Sequence, residues 1–156
     1  MTQKLTHLNE RGEAHIVDIG AKPVAARRAV ARAVLEAEPA TIEAIAGGTL
    51  KKGDALAVAR IAGIMAAKKT SDLIPLCHPI ALSKVEVDIA ATANTLVITA
   101  TAETSDRTGV EMEAMTAAAV AALTLYDMAK GIDRAMRVTA VELMEKSGGK
   151  SGDFRR

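Results

Sequence analysis

The clearest alternation of apolar and polar positions is at Val85, Val87 and Ile89, which are interleaved with Lys84, Glu86 and Asp88. A period of two predicts a half-buried strand. Residues 96–103 supply a second extended run beyond a turn at Asn94, so the pair reads as a β-hairpin. Further on the period lengthens. Met112, Met115, Ala119, Leu123 and Tyr126 recur at three-to-four spacing and predict a long helix from residue 111 to about 132. Residues 137–143 form a last strand candidate.

The first half of the chain is less regular. Residues 1–14 are polar without a sustained period and read as an N-terminal arm, and 15–19 form a short extended candidate. Residues 24–36 are ambiguous. Their alanines favour helix, whereas Arg28, Val30, Arg32 and Val34 alternate with Ala29, Ala31, Ala33 and Leu35 as a strand would. Residues 39–46 look helical with Gly47-Gly48 as a stop, and Asp54 is a plausible N-cap for a helix to about Lys69. If 24–36 is a strand, the order becomes strand, helices, strand, strand, helix, strand. That order predicts an α+β, ferredoxin-like split βαβ fold, an antiparallel sheet with helices packed on one face.

Composition narrows the function classes. At 156 residues the chain suits one domain, 1–156, ending in a Gly/Lys-rich tail over 146–156. Aromatics are only 1% and alanine supplies much of the apolar content, so core contacts must come from short side chains and close backbone approach. Twenty Lys and Arg against nineteen Asp and Glu give a net charge of +1, no electrostatic footprint for nucleic acid or a membrane. One Tyr and one Phe cannot build a base-stacking platform. A single cysteine and the lack of a secretion signal or membrane-length apolar run predict a cytoplasmic protein.

Candidate chemistry begins with Leu73-Ile74-Pro75-Leu76-Cys77-His78-Pro79. Its prolines fix φ at their own positions and push Ile74 and His78 into extended conformations, which holds the imidazole on a stiff backbone. A buried histidine satisfied by a backbone carbonyl is an equally good reading. Cys77 as a nucleophile would need a base within hydrogen-bond reach, and packing is favoured. Three scattered histidines and no cysteine pair lack the spacing of a metal site. Gly149-Lys150-Ser151 matches the end of a P-loop, but the first glycine would fall at Met144 and no helix could follow. The tail could still wrap an anion, although a flexible terminus is the simpler reading. Asp127 and Lys130 share a helix face, while Glu113 lies about 21 Å from Asp127 along it. A small substrate touching both would sit between two subunits.

Longer blocks carry a resemblance. Gly12-Glu13-Ala14-His15, Lys52-Gly53-Asp54, residues 59–64, 72–79 and 82–87, Thr108-Gly109-Val110-Glu111-Met112-Glu113-Ala114, Leu125-Tyr126-Asp127-Met128 and residues 146–153 together resemble the cyclic pyranopterin monophosphate synthase family, the molybdenum cofactor biosynthesis protein C family. The resemblance covers almost the whole chain. It implies a ferredoxin-like subunit, a strand at 24–36, a homohexamer built as a trimer of dimers, and active sites between subunits. The implied enzyme is a lyase that converts cyclised dihydroguanosine triphosphate to cyclic pyranopterin monophosphate and releases pyrophosphate, with no metal or cofactor. It further implies Asp127, Lys52 and Lys130 as catalytic groups, and Leu76, Cys77, His78, Met112, Glu113, Lys68 and Lys146 as substrate-binding groups. A ferredoxin-like module that binds a small anion without transforming it is the competing expectation, because architecture alone does not specify activity.

Overall fold

In the computed structural model, which describes residues 5–156, the ambiguous segment is a strand, β1 (Ala25–Glu36). Pairing along both of its edges overrides the helix propensity of its alanines. The hairpin strands are β2 (Lys84–Ala91) and β3 (Thr95–Asp106), and β4 (Arg137–Ser147) is followed by a two-residue β5 (Phe154–Arg155). The sheet runs β2-β3-β1-β4-β5 with antiparallel neighbours, so β1 sits between β3 and β4 in the split βαβ arrangement. Opposite Val34 of β1 lie Val97 and Ala140, and the β1–β4 register shifts twice, between Val30 and Ala31 and between Val34 and Leu35.

Alternate residues of β1 and β3, among them Ala29, Ala31, Ala33, Leu35, Leu96, Ile98, Ala100 and Ala102, are fully buried beneath the helices. The helices are α1 (Pro39–Ala46), α2 (Ala55–Lys68), a single turn α3 (Thr70–Leu73) and α4 (Glu111–Ala129). Asp54 caps α2 as expected, its carboxylate accepting the Ala57 N–H at 3.1 Å, and Gly47 ends α1. Helix α4 lies on β1, β3 and β4, and α2 lies on α4 and β2.

The long helix departs from its expected face. Its buried stripe is Ala114, Ala117, Ala118, Ala121, Ala122, Leu125 and Ala129, whereas Leu123 is 58% exposed and Met112 is also exposed. Two surfaces press on α4, the sheet and α2, and most of the side chains between them are alanines. Gly63 of α2 marks the closest approach. A Cβ there would lie 3.0 Å from the Ala117 carbonyl and 3.3 Å from the Ala121 Cβ. The helix also stops at Ala129, short of residue 132, with Lys130 as its C-cap. The turn that follows is tied back by Asp133, whose carboxylate accepts the Glu38 N–H, the Ala135 N–H and the Thr41 hydroxyl.

Both ends of the chain fold back. Of the expected arm, residues 1–4 lie outside the described residues. Leu8 and Ala14 form an isolated bridge, closed by a turn in which the Asn9 side chain accepts the Arg11 and Glu13 N–H groups. Residues 15–19 form no strand, which corrects the expectation, because their backbone meets a side chain from the 73–79 loop instead of a sheet edge. The tail is ordered by pairing. Gly148 and Gly149 both take φ of +86°, which turns the chain so that β5 pairs with the end of β4. A Cβ on Gly148 would strike the Ala26 carbonyl, so the turn requires glycine.

Candidate active site

The 73–79 loop and the start of α4 meet in a cavity of about 550 Å³ whose lining includes Leu76, Cys77, His78 and Met112. Two local hydrogen bonds shape the loop, Ile74 N–H to the Thr70 carbonyl at 2.9 Å and Cys77 N–H to the Ile74 carbonyl at 3.1 Å. His78 Nε2 lies 2.6 Å from the carbonyl oxygen of Val17, which fastens residues 15–19 over this cavity. The Cys77 thiol donates to Glu113 Oε1 at 3.6 Å. Glu113 is only 2% exposed, and its Oε2 is buried without a hydrogen-bond partner among the described residues. Burial pushes the Glu113 carboxyl up from the ordinary glutamate range. Burial, and then the neighbouring Glu113 carboxylate, also raise the Cys77 thiol to about 11. The raised pKa favours the neutral thiol, and Cys77 lines the cavity.

A second cavity, about 670 Å³, adjoins the first and shares Lys22, Thr108, Gly109 and Glu111 with it. Its lining adds Arg27, Arg107, Lys146 and Lys150, so five cationic side chains converge there against the single carboxylate of Glu111. Lys146, whose side chain is 18% exposed, lies 3.6 Å from Glu111 Oε1 and hydrogen-bonds the Ser151 hydroxyl. The tail that sequence alone left as a soluble terminus thus forms a wall of this cavity through Gly149, Lys150 and Ser151. Guanidinium and ammonium groups with few anionic partners suit a polyphosphate.

Asp127, Lys52 and Lys130 form a separate cluster at the far end of α4. Lys130 Nζ is 2.8 Å from Asp127 Oδ1, and Lys52 Nζ is 3.3 Å from Oδ2 and 2.7 Å from the Asp127 carbonyl oxygen. The Lys130 hydrogen bond and then that of Lys52 hold the Asp127 carboxyl below the ordinary aspartate range. The cluster is solvent-exposed, so these contacts order the groups more than they stabilise the fold. Lys68, at the end of α2, is exposed and makes no ion pair or hydrogen bond among the described residues.

The chain therefore brings Leu76, Cys77, His78, Met112, Glu113 and Lys146 to one end of α4 and Asp127, Lys52 and Lys130 to the other. Lys22, Arg27, Arg107 and Glu111 were not singled out as site residues from sequence. Arg27 stands on β1, where alternation reveals facing but not function, and Lys22 lies in an irregular stretch. Only the three-dimensional convergence of their charges marks them.

Residues 16–149 match the MoaC family model. The chain is 55% identical over 155 residues to the cyclic pyranopterin monophosphate synthase of Parvibaculum lavamentivorans, a match that covers 98% of this chain and 97% of that one. It is 56% identical to the protein of that name from Thermomicrobium roseum, over 98% of this chain and 93% of the relative. It is also 56% identical to one from a Roseiflexus species, over 96% of each. Similarity at this level over nearly the full length of both partners leaves no room for a chance likeness of folds, and the chain belongs to the MoaC family.

Proposed function

We infer that this chain carries out the reaction for which its relatives are named. It converts cyclised dihydroguanosine triphosphate (3',8-cyclo-7,8-dihydro-GTP) to cyclic pyranopterin monophosphate with release of pyrophosphate, a lyase step of molybdenum cofactor biosynthesis. The observation that carries the reading is the pair of joined cavities. One offers apolar walls and a histidine, with the buried Glu113 carboxylate hydrogen-bonded behind its Cys77 wall, and the other offers five cationic side chains. A heterocycle bearing a triphosphate needs both environments side by side. A module that merely held a small anion would have use for the second alone.

In this reading the 76–78 segment, Met112 and Glu113 bind the heterocycle, and Lys146 with its cationic neighbours holds the phosphates. Opening the former purine five-membered ring and closing the pterin require protons to be given and taken. Asp127, ionised at neutral pH, is suited to accept one, and Lys52 and Lys130 on either side of it are suited to donate. Lysine charges also stabilise the developing cyclic phosphate and the departing pyrophosphate. Lys68, exposed at the end of α2, is taken as a further substrate-binding group of the assembled site. The two clusters serve one substrate if subunits meet so that one contributes its Glu113 end and another its Asp127 end. A homohexamer, a trimer of dimers, provides such interfaces. The whole chain acts as one catalytic domain in the cytoplasm, and no helix among the described residues is long and apolar enough to cross a membrane.

Mass spectrometry after incubation with the cyclised triphosphate tests the reading. Cyclic pyranopterin monophosphate and one equivalent of pyrophosphate are the expected products, and bound but unchanged substrate would favour an anion-binding module instead.

A further inference from the structure

The contact between His78 and the 15–19 segment has a chemical consequence. A backbone carbonyl oxygen accepts hydrogen bonds and cannot donate them, so at 2.6 Å the proton between His78 Nε2 and Val17 must sit on Nε2. In the neutral ring Nδ1 is then the bare nitrogen. Nδ1 makes no hydrogen bond to protein among the described residues, yet the ring lines the 550 Å³ cavity together with Val17 and Ile19. Geometry supports the same division of labour. Pro79 stiffens the chain beyond His78, the Cys77–Ile74 turn fixes it before, and the remaining freedom, rotation of the ring, is restrained by the Val17 carbonyl.

We propose that the main-chain carbonyl of Val17 is a positioning group for His78, fixing the Nε2–H tautomer so that Nδ1 is the atom presented to substrate. The N-terminal segment is then part of the working site as well as its cover. Backbone carbonyls and carboxylates set histidine tautomers in this way at many metal and acid–base sites, where the partner of one ring nitrogen determines what the other does. The proposal rests on the reading of His78 as a substrate-contacting residue, and its first test is independent of activity.

That test is the nitrogen spectrum of the full-length, 15N-histidine-labelled protein, with the His78 signals identified by their loss in His78→Gln. The Nε2–H pattern is expected at a pH where the ring is neutral, and an Nδ1–H pattern would overturn the proposal. The second test replaces Asp18 by its α-hydroxy analogue, which turns the amide after Val17 into an ester and weakens the Val17 carbonyl as an acceptor. The Asp18 side chain, which accepts the Gly20 N–H at 2.8 Å, is retained. The expected outcome is a measurable share of the Nδ1–H tautomer and a fall in kcat of about threefold or more, in line with the loss of part of one hydrogen bond. An unchanged tautomer and unchanged kcat in the folded ester variant would overturn it. Undiminished turnover in His78→Gln would instead overturn the reading of His78 as a site residue, and with it the effect on turnover, whatever the tautomer.

Discussion

Two carboxylates on one helix are tuned in opposite directions. Asp127, exposed between two ammonium groups, is held ionised well into acid, while Glu113, buried with one oxygen unpartnered, resists ionisation. Such divergence is how one site obtains groups that accept and retain protons at a single pH. Asp127→Asn keeps the size and exposure of the side chain and removes its charge. Turnover is expected to fall by at least about 100-fold in the pyrophosphate-release assay, with no change in the folded circular dichroism spectrum. A folded variant with undiminished turnover would refute the role of this carboxylate. For Glu113 the native state binds its proton more tightly than the unfolded chain does, so its contribution to stability is most favourable in acid and declines as pH rises through the raised native pKa. Glu113→Gln removes that decline. Denaturant titrations from pH 4 to 8 should show the variant gaining on the wild type as pH increases. A constant difference across that range would mean that burial does not raise the Glu113 pKa above that of the unfolded chain.

At the scale of elements, packing rather than propensity settles the ambiguous segments. The alternation in β1 was visible in sequence, but nothing local could show that two strands would flank it and hold its alanines extended. The α4 pattern misled for a related reason. Large apolar residues normally mark the core face, and here Met112 and Leu123 lie outward because the close approach of α2 and the sheet fills most of the buried face with alanine. Low aromatic content and abundant alanine announced close backbone approach without saying where. The hairpin, the Asp54 cap and the Gly47 stop were legible because each depends on residues within a few positions. The cationic cavity was not, since Lys22, Arg27, Arg107 and Lys150 come from four separate stretches. Gly63→Ala tests the packing account directly. The new Cβ would press on Ala117 O at 3.0 Å, Val87 Cγ2 at 3.1 Å and Ala121 Cβ at 3.3 Å. The variant should lose about 1–3 kcal/mol in chemical denaturation despite alanine's better helix propensity. A gain in stability would show that the α2–α4 spacing is more compliant than this geometry implies.

For the whole molecule, the decisive fact is distance. Glu113 and Asp127 are fourteen residues apart on one helix, which at the rise of an α-helix puts them about 21 Å apart along it. A nucleotide-derived substrate with its phosphates extended could span much of that length, but the chemistry would have to occur at one end or the other. If both ends act on the same reacting ring, the missing half must come from another copy of the chain. Subunit mixing separates these possibilities. A Glu113→Ala subunit retains a working Asp127 cluster, and an Asp127→Ala subunit retains a working Glu113 cavity, so each homo-oligomer is expected to be inactive. In a mixed oligomer, some interfaces would pair the intact cavity of one subunit with the intact Asp127 cluster of the other. Random assembly in equal proportion gives such a pairing at about one site in four, so recovery of roughly a quarter of wild-type turnover is expected after the two variants are unfolded and refolded together. A site contained in one chain gives no recovery, because every chain carries a lesion. Native mass spectrometry of the mixture, with one variant isotope-labelled, establishes that mixed oligomers are present, so that absence of activity in their presence counts against a shared site.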